Sequence, residues 1–380
     1  MKIVYCIAGT CHSGGMERVL ANKANYLARH GFEVVVVTTD QRGQPPFFPM
    51  EEAIRTIDLG INYDDNNGKP FLDKLLRYPA KQARHKARLR AVLMEERPDV
   101  TVSMFNNDAG FIPDINDGSA KLLEIHFSKF KRLQYGRKGL WRLADWWRSR
   151  QDEKTVRRFD RFVVLTEEDK GYWGGLPNIE VIPNAVCCVG AAAASLESRK
   201  VVAVGRFTHQ KGFERLVDAW HLLAPEFPDW TLDIIGDGEE RPLLQERIDC
   251  YELVGRVELR RPTKEIGKAY SGASIMAMTS RYEGLPMVLL EAQACGLPIV
   301  AFGCKCGPRD IVTDGSDGFI VAEGDVEGLA QRLAQLMADE PLRRRMGAKA
   351  RESALRFNED EIMKKWISTF STLAGKRRKQ

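Results

Sequence analysis

Short apolar runs recur along the chain, each closed by a turn rich in glycine or polar residues and followed by a stretch with helical spacing. The runs at 2–8, 33–38, 99–104, 122–126, 162–165, 200–204, 231–235, 275–278 and 297–301 are dense in Val, Ile, Leu and Ala. That is the pattern of parallel strands buried on both faces. A weaker strand is expected at 54–59, inside a Pro-, Asn- and Asp-rich segment, and another is led into by 254–259. Between the strands lie helical patterns. In 16–30, Val19, Leu20, Ala24, Leu27 and Ala28 fall on one face. Further helices are expected at 73–96, 214–223, 241–251, 263–269, 329–337, 341–357 and 358–373. Strands alternating with helices predict an α/β chain built on parallel sheets.

The stretch 279–296 organises the second half. It runs strand, loop, short helix, strand, with Pro286 expected at the first helical position and Gly296 just past the helix end. Glu283 then sits in the loop at the carboxyl end of a strand, and Glu291 about two turns on. The free N–H groups of Leu285, Met287 and Val288 would leave the helix start as an anion site. A carboxylate beside an anion site suits a ligand that carries both sugar and phosphate. Glu283 would accept from sugar hydroxyls, and Glu291 from a ribose diol, as acidic residues do in dinucleotide sites. Upstream, the turn 205–213 places Arg206 and Lys211 at the carboxyl end of strand 200–204. Arg206 offers a planar fork to phosphate oxygens and Lys211 a compact charge. Charge-assisted hydrogen bonds of this kind contribute ~1.5–3 kcal/mol each. Gly14 and Gly15 follow the first strand and would let backbone approach a ligand. They lack the Gly-x-Gly-x-x-Gly spacing, so a dinucleotide is not indicated. His126 closes strand 122–126 and, like Asn106, Asn107 and Asp108 after 99–104, stands where parallel sheets place ligands. Each has a structural alternative: solvated glutamates, surface cations, a tight turn, a packed histidine.

Composition changes the picture little. With 380 residues, 44% hydrophobic and 29% charged, the chain suits two globular domains. No apolar run nears the ~20 residues of a membrane helix, and the chain opens directly on a strand, so no signal peptide is expected. A net charge of +5 does not call for nucleic acid. The eight cysteines include two clusters, Cys187-Cys188 and Cys304-x-Cys306, whose spacing matches no usual zinc pattern. Reduced thiols in the cytosol are the expectation. Segment 129–150 is basic and rich in tryptophan. It reads either as a helix packed by one face or as a contact with anionic lipid or lipid-linked phosphate. The basic tail 376–379 could add to that contact or be disordered.

Glu283-Gly284-Leu285-Pro286, Glu291-Ala292 and Gly296-Leu297-Pro298 together resemble the Glu-x7-Glu signature of the retaining glycosyltransferases of family 4. The Gly205-Arg206…Lys211-Gly212 turn, the Gly14-Gly15 loop and Ile182-Pro183-Asn184 resemble the same family, as do the structural turns at Gly307-Pro308 and Gly315…Gly318. The resemblance implies the GT-B fold, two Rossmann-like domains facing each other across a cleft. It implies an acceptor-binding domain at 1–185, a linker at 186–199, a nucleotide-sugar domain at 200–357, and a last helix at 358–380 that crosses back. Donor-binding residues would be Gly14, Gly15, Arg206, Lys211, Val257, Glu283, Gly284, Leu285, Pro286, Met287 and Glu291. Backbone near Val257 would carry the base. His126, Glu283, Arg206 and Lys211 would serve the transfer itself.

No Asp-x-Asp pair is present to bridge a metal, so metal-independent transfer without a cofactor is expected. The donor would be a nucleotide sugar, UDP by family habit. The acceptor would be a saccharide or lipid-linked saccharide of cell-surface polysaccharide synthesis. The setting would be the cytoplasm, including the inner membrane surface if 129–150 binds it. The rival readings are a nucleotide-sugar epimerase of the same architecture and a non-catalytic partner of a glycosyltransferase.

Overall fold

The computed structural model describes residues 1–12, 14–66, 71–130, 140–186, 193–263 and 265–377, with the side chains of 66, 71–76, 140–145, 147, 148, 376 and 377 set aside. Cys187, Cys188, the linker residues 187–192 and much of the basic Trp-rich segment lie outside the described residues. Backbone packing divides the chain into two compact units. The first comprises Met1–Leu165, Lys170–Pro183 and Ile362–Gln380, and the second Thr166–Asp169 and Asn184–Glu361.

The first unit holds a seven-stranded parallel sheet. Its strands are β1 (Lys2–Ile7), β2 (Glu33–Thr38), β3 (Arg55–Asp58), β4 (Val100–Ser103), β5 (Ala120–Glu124), β6 (Arg161–Val164) and β7 (Ile179–Val181). They lie in the order β3-β2-β1-β4-β5-β6-β7. The order reverses between β1 and β4, which places a crevice outside their carboxyl ends. Its helices are α1 (Gly15–Arg29), α2 (Phe71–Glu96), α3 (Leu140–Val156), part of α4 (Glu167–Trp173) and most of α12 (Glu359–Arg377). α1 starts one residue earlier than its apolar period suggests and buries Val19, Leu20, Ala24 and Leu27. α2 runs through Pro79, which has no N–H to give the carbonyl four residues back.

The second unit holds a six-stranded parallel sheet ordered β10-β9-β8-β11-β12-β13. These are β8 (Lys200–Val204), β9 (Thr231–Ile235), β10 (Val257–Arg260), β11 (Ile275–Met278), β12 (Ile299–Phe302) and β13 (Gly318–Val321). Here the order reverses between β8 and β11. The helices are α5 (Phe213–Leu223), α6 (Arg241–Cys250), α7 (Ile266–Ser271), α8 (Met287–Ala294), α9 (Pro308–Ile311), α10 (Val326–Ala338) and α11 (Glu340–Ala354). α5 shows why they dock. Phe213, Leu216, Val217, Trp220 and Leu223 repeat at three and four residues and are all buried. Each such side chain contributes ~1.5–3 kcal/mol on leaving water.

Candidate functional site

The two loops that flank the reversal point of the second sheet are stitched together. One follows β8 and carries Arg206 and Lys211; the other follows β11 and carries Glu283. Arg281 N donates to Gln210 O at 2.8 Å, Gln210 Nε2 to Tyr282 O at 2.9 Å, and Thr279 Oγ1 to Lys211 O at 3.2 Å. Gly212 allows this approach. It has φ +62°, and a Cβ there would lie 2.6 Å from the Thr279 carbonyl oxygen. The glycine after Lys211 is thus set by its neighbour's backbone and by its own left-handed conformation.

The stitching brings Lys211 Nζ to 2.6 Å from Glu283 Oε1, with side chains 17% and 8% exposed. Glu283 N also donates to Lys305 O at 3.3 Å. Arg206, on the same loop as Lys211, is exposed. Burial and the nearby Glu283 charge push the Cys304 thiol well up, so it stays protonated. Cys306 is buried too.

α8 corrects one expectation. Pro286 caps the helix with φ −71° and ψ 103° instead of opening it, and Met287 is the first helical residue. The residue before a helix holds extended geometry, which the proline ring also permits. By helix geometry Met287 and Val288 then open α8 with N–H groups that have no partner within it. Gly284 and Pro286 are packed by Gly307 (φ +99°), whose Cβ would fall 2.4 Å from Pro286 Cδ. Leu285 is buried. Glu291 is buried as well, and Tyr270, on α7, donates its hydroxyl to Oε2 at 3.0 Å. The sequence reading did not find Tyr270.

Val257 is not brought to this group. It opens β10, paired with Leu232 near the start of β9. That puts it about 10 Å from the strand's carboxyl end at ~3.3 Å per residue. Its side chain is buried, and its N–H donates to Leu253 O at 3.0 Å. Residues beyond Arg260 stand at the carboxyl edge instead.

Gly14, Gly15 and His126 belong to the first unit. Gly14 caps α1 with an ordinary φ of −76°. Neither glycine has positive φ, and a Cβ on Gly15 would meet nothing within 4 Å. Conformation therefore does not explain these two glycines. His126 lies just beyond β5, where its Nε2 is 2.9 Å from Glu124 Oε1. The same Glu124 oxygen takes the ammonium of Lys23 from α1. Lys23 and Glu124 are 4% and 0% exposed. Burial pushes the Glu124 carboxyl up, but the charges of Lys23 and His126 outweigh it and hold the group at about 2. Lys23 also lies 3.6 Å from the Trp366 ring centre, on α12. Glu124 went unnoticed in the sequence, although a carboxylate two residues before His126 shares its side of a strand.

In the loop after β4, Asp108 is buried and accepts from Ser103 Oγ at 3.0 Å. Burial outweighs that bond and raises its carboxyl to about 6. Tyr78 reaches Asn107 Oδ1 at 3.3 Å. Within the Trp-rich segment, Lys129 pairs with Glu153 at 2.6 Å, and Trp146 is exposed beneath Arg150. Among the described residues no helix is long and apolar enough to cross a membrane.

The model of the glycosyl transferases group 1 matches residues 191–353, and that of glycosyltransferase family 4 matches residues 13–188. The amylovoran biosynthesis glycosyltransferase AmsD of Erwinia amylovora is 31% identical over 96% of this chain and 98% of that protein. The solved structure of TarM superposes with a TM-score of 0.82 at 15% identity, over 97% of this chain and 98% of that one. HepE of Anabaena in complex with UDP superposes with a TM-score of 0.77 at 17% identity, over 98% and 100%. At such identities the superpositions speak for the fold alone. Two parallel α/β sheets, a full-length relative and two adjoining family models agree: the chain is a glycosyltransferase of the group 1 family with the GT-B fold.

Proposed function

We propose that the chain transfers a sugar from a nucleotide diphosphate, UDP in the first instance, to a saccharide or lipid-linked saccharide in polysaccharide synthesis, with retention and without a metal. The observation that carries this reading is the Lys211–Glu283 pair, stitched at the reversal point beside the start of α8. An ammonium has three donors. One bond to Glu283 fixes Lys211 and leaves two N–H groups for phosphate. Arg206 adds a fork and α8 its first amides, so the charge that develops on the departing diphosphate meets donors already in place. Glu283 orients the sugar hydroxyls, and Glu291, itself steadied by Tyr270, faces the ribose. His126 steadies the sugar. The acceptor hydroxyl attacks the anomeric carbon on the face the diphosphate leaves, and its proton departs with the diphosphate. The UDP bound by HepE supports the choice of nucleotide, and the AmsD relative supports a biosynthetic glycan. Exposed Trp146 beside Arg150 keeps a peripheral membrane contact within the proposal.

The test is thermal melting with UDP, GDP and ADP, each with and without EDTA. A ligand of the folded state raises the melting temperature by mass action. UDP is expected to raise it, EDTA to leave the rise unchanged, and Arg206→Ala to abolish it. No rise with any nucleotide at millimolar concentration sinks the donor assignment, and a rise that EDTA removes sinks metal independence.

A further inference from the structure

Side chains alternate faces along a strand, so Glu124 and His126 lie on the side of the first sheet that Lys23 reaches from α1. Glu124 offers one oxygen to both neighbours. Its other oxygen, both ring nitrogens of His126 and the hydroxyl of Tyr5 are buried and complete no hydrogen bond of good geometry among the described residues. The His126 Nε2 contact is close, at 2.9 Å, but out of line with the ring N–H. Lys23 is held from its far side by Trp366 at 3.6 Å and by the Tyr5 ring at 5.7 Å. An indole face against an ammonium is attractive. The carboxylate is thus fixed by a cation, the cation by an aromatic pair, and the histidine leans on the carboxylate.

A neutral imidazole carries one N–H and one lone pair, and the partner at one nitrogen decides which is which. Glu124 carries its charge against the Lys23 ammonium, which lowers its carboxyl. A lone pair on Nε2 would face that charge and be repelled. The proton belongs on Nε2, and the lone pair on Nδ1, the nitrogen with no neighbour within hydrogen-bond reach among the described residues.

We propose that Glu124 is a positioning residue for His126: fixed by Lys23 and Trp366, it sets the ring angle of the imidazole and places its proton on Nε2. What the ring then does in transfer rests on the role given to His126 under the proposed function. The effect of Glu124 on the ring does not, and it can be read alone.

The measurement is 15N spectroscopy of the full chain labelled in its histidine rings. The protein has six histidines, and the signals lost in His126→Gln identify this one. In the unaltered protein at pH 8 the expected result is a single tautomer protonated at Nε2. A ring protonated at Nδ1, or averaged between tautomers, overturns the proposal without any further variant. Glu124→Gln alone strands Lys23 as an unpaired buried charge. The paired variant Lys23→Met/Glu124→Gln removes both charges at similar volume, and in it the His126 nitrogens are expected to average. A folded paired variant whose His126 signals match the unaltered protein overturns the proposal, because an ion pair that merely supports the fold would leave the ring as it was. The rise in melting temperature with UDP reads the second unit separately. Its absence from both proteins would remove the donor assignment while leaving the nitrogen spectrum to decide on Glu124.

Discussion

Lys23–Glu124 in the first unit and Lys211–Glu283 in the second join the same two side-chain types in different surroundings. The first pair is sealed, at 4% and 0% exposure, under aromatic rings. The second is partly open, at 17% and 8%, on loops at the reversal point of its sheet. A sealed pair cannot trade its partner for a ligand, and breaking it leaves a charge that water cannot reach. A partly open pair keeps its geometry while its remaining donors stay available. Burial, rather than residue type, sets the two pairs apart.

The sharpest way to break this comparison is Glu124→Ala. It should cost ~3–5 kcal/mol of stability, read by chemical unfolding. A loss under about 1 kcal/mol would mean the first pair is not sealed. Next comes Lys211→Met. Loss of one donor to the developing charge should lower the transfer rate by ~10²–10³, while the melting temperature falls less than in Glu124→Ala. The reverse ranking of the two melting temperatures would erase the distinction.

The pH dependence of stability sharpens the comparison further. Glu124 titrates near 2 in the folded chain against ~4.3 unfolded. Its contribution is therefore present above pH ~4.3 and lost as the pH falls towards 2. Asp108, raised to about 6 by burial against ~3.9 unfolded, works the other way. The folded state favours its protonated form, so stability is present below pH ~3.9 and falls by about 3 kcal/mol as the pH rises through 6. Asp108→Asn should flatten the slope between pH ~4 and ~6 and leave the acid limb. Last comes Gly212→Ala, where the left-handed alanine alone costs ~1–2 kcal/mol. Because the new methyl meets Thr279 O, the transfer rate should fall as well, as Lys211 is pushed off Glu283. Unchanged kinetics there would mean the stitched loops are not what places the lysine.

Much of the fold was legible. The strands expected at 33–38, 200–204, 231–235 and 275–278 form with those bounds, because strands buried on both faces read as unbroken apolar runs. The positions of Arg206, Lys211 and Glu283 were legible for a related reason: each follows such a run, so each stands on a loop at the carboxyl edge of its sheet. What escaped depends on contacts distant in sequence. Glu124 looks like an oddity in an apolar strand until Lys23 and Trp366 are placed beside it. Tyr270 gains meaning only when α7 reaches α8. Val257 was assigned to the site by resemblance, but apolar pattern marks that a strand exists without marking which of its ends a residue occupies. Pro286 differs by one position, since a proline satisfies the geometry of both a cap and a first turn.

Trp366 is separated from Lys23 by nearly the whole chain, yet the two share a unit. During synthesis the first unit can gather its strands early, but it lacks the roof over its buried ammonium until the second unit has been made. At ~5–20 residues per second the delay is roughly 10–40 s. Through that interval the Lys23 ammonium lacks the ring that lies against it. The unit that is begun first on the ribosome is therefore the one finished last.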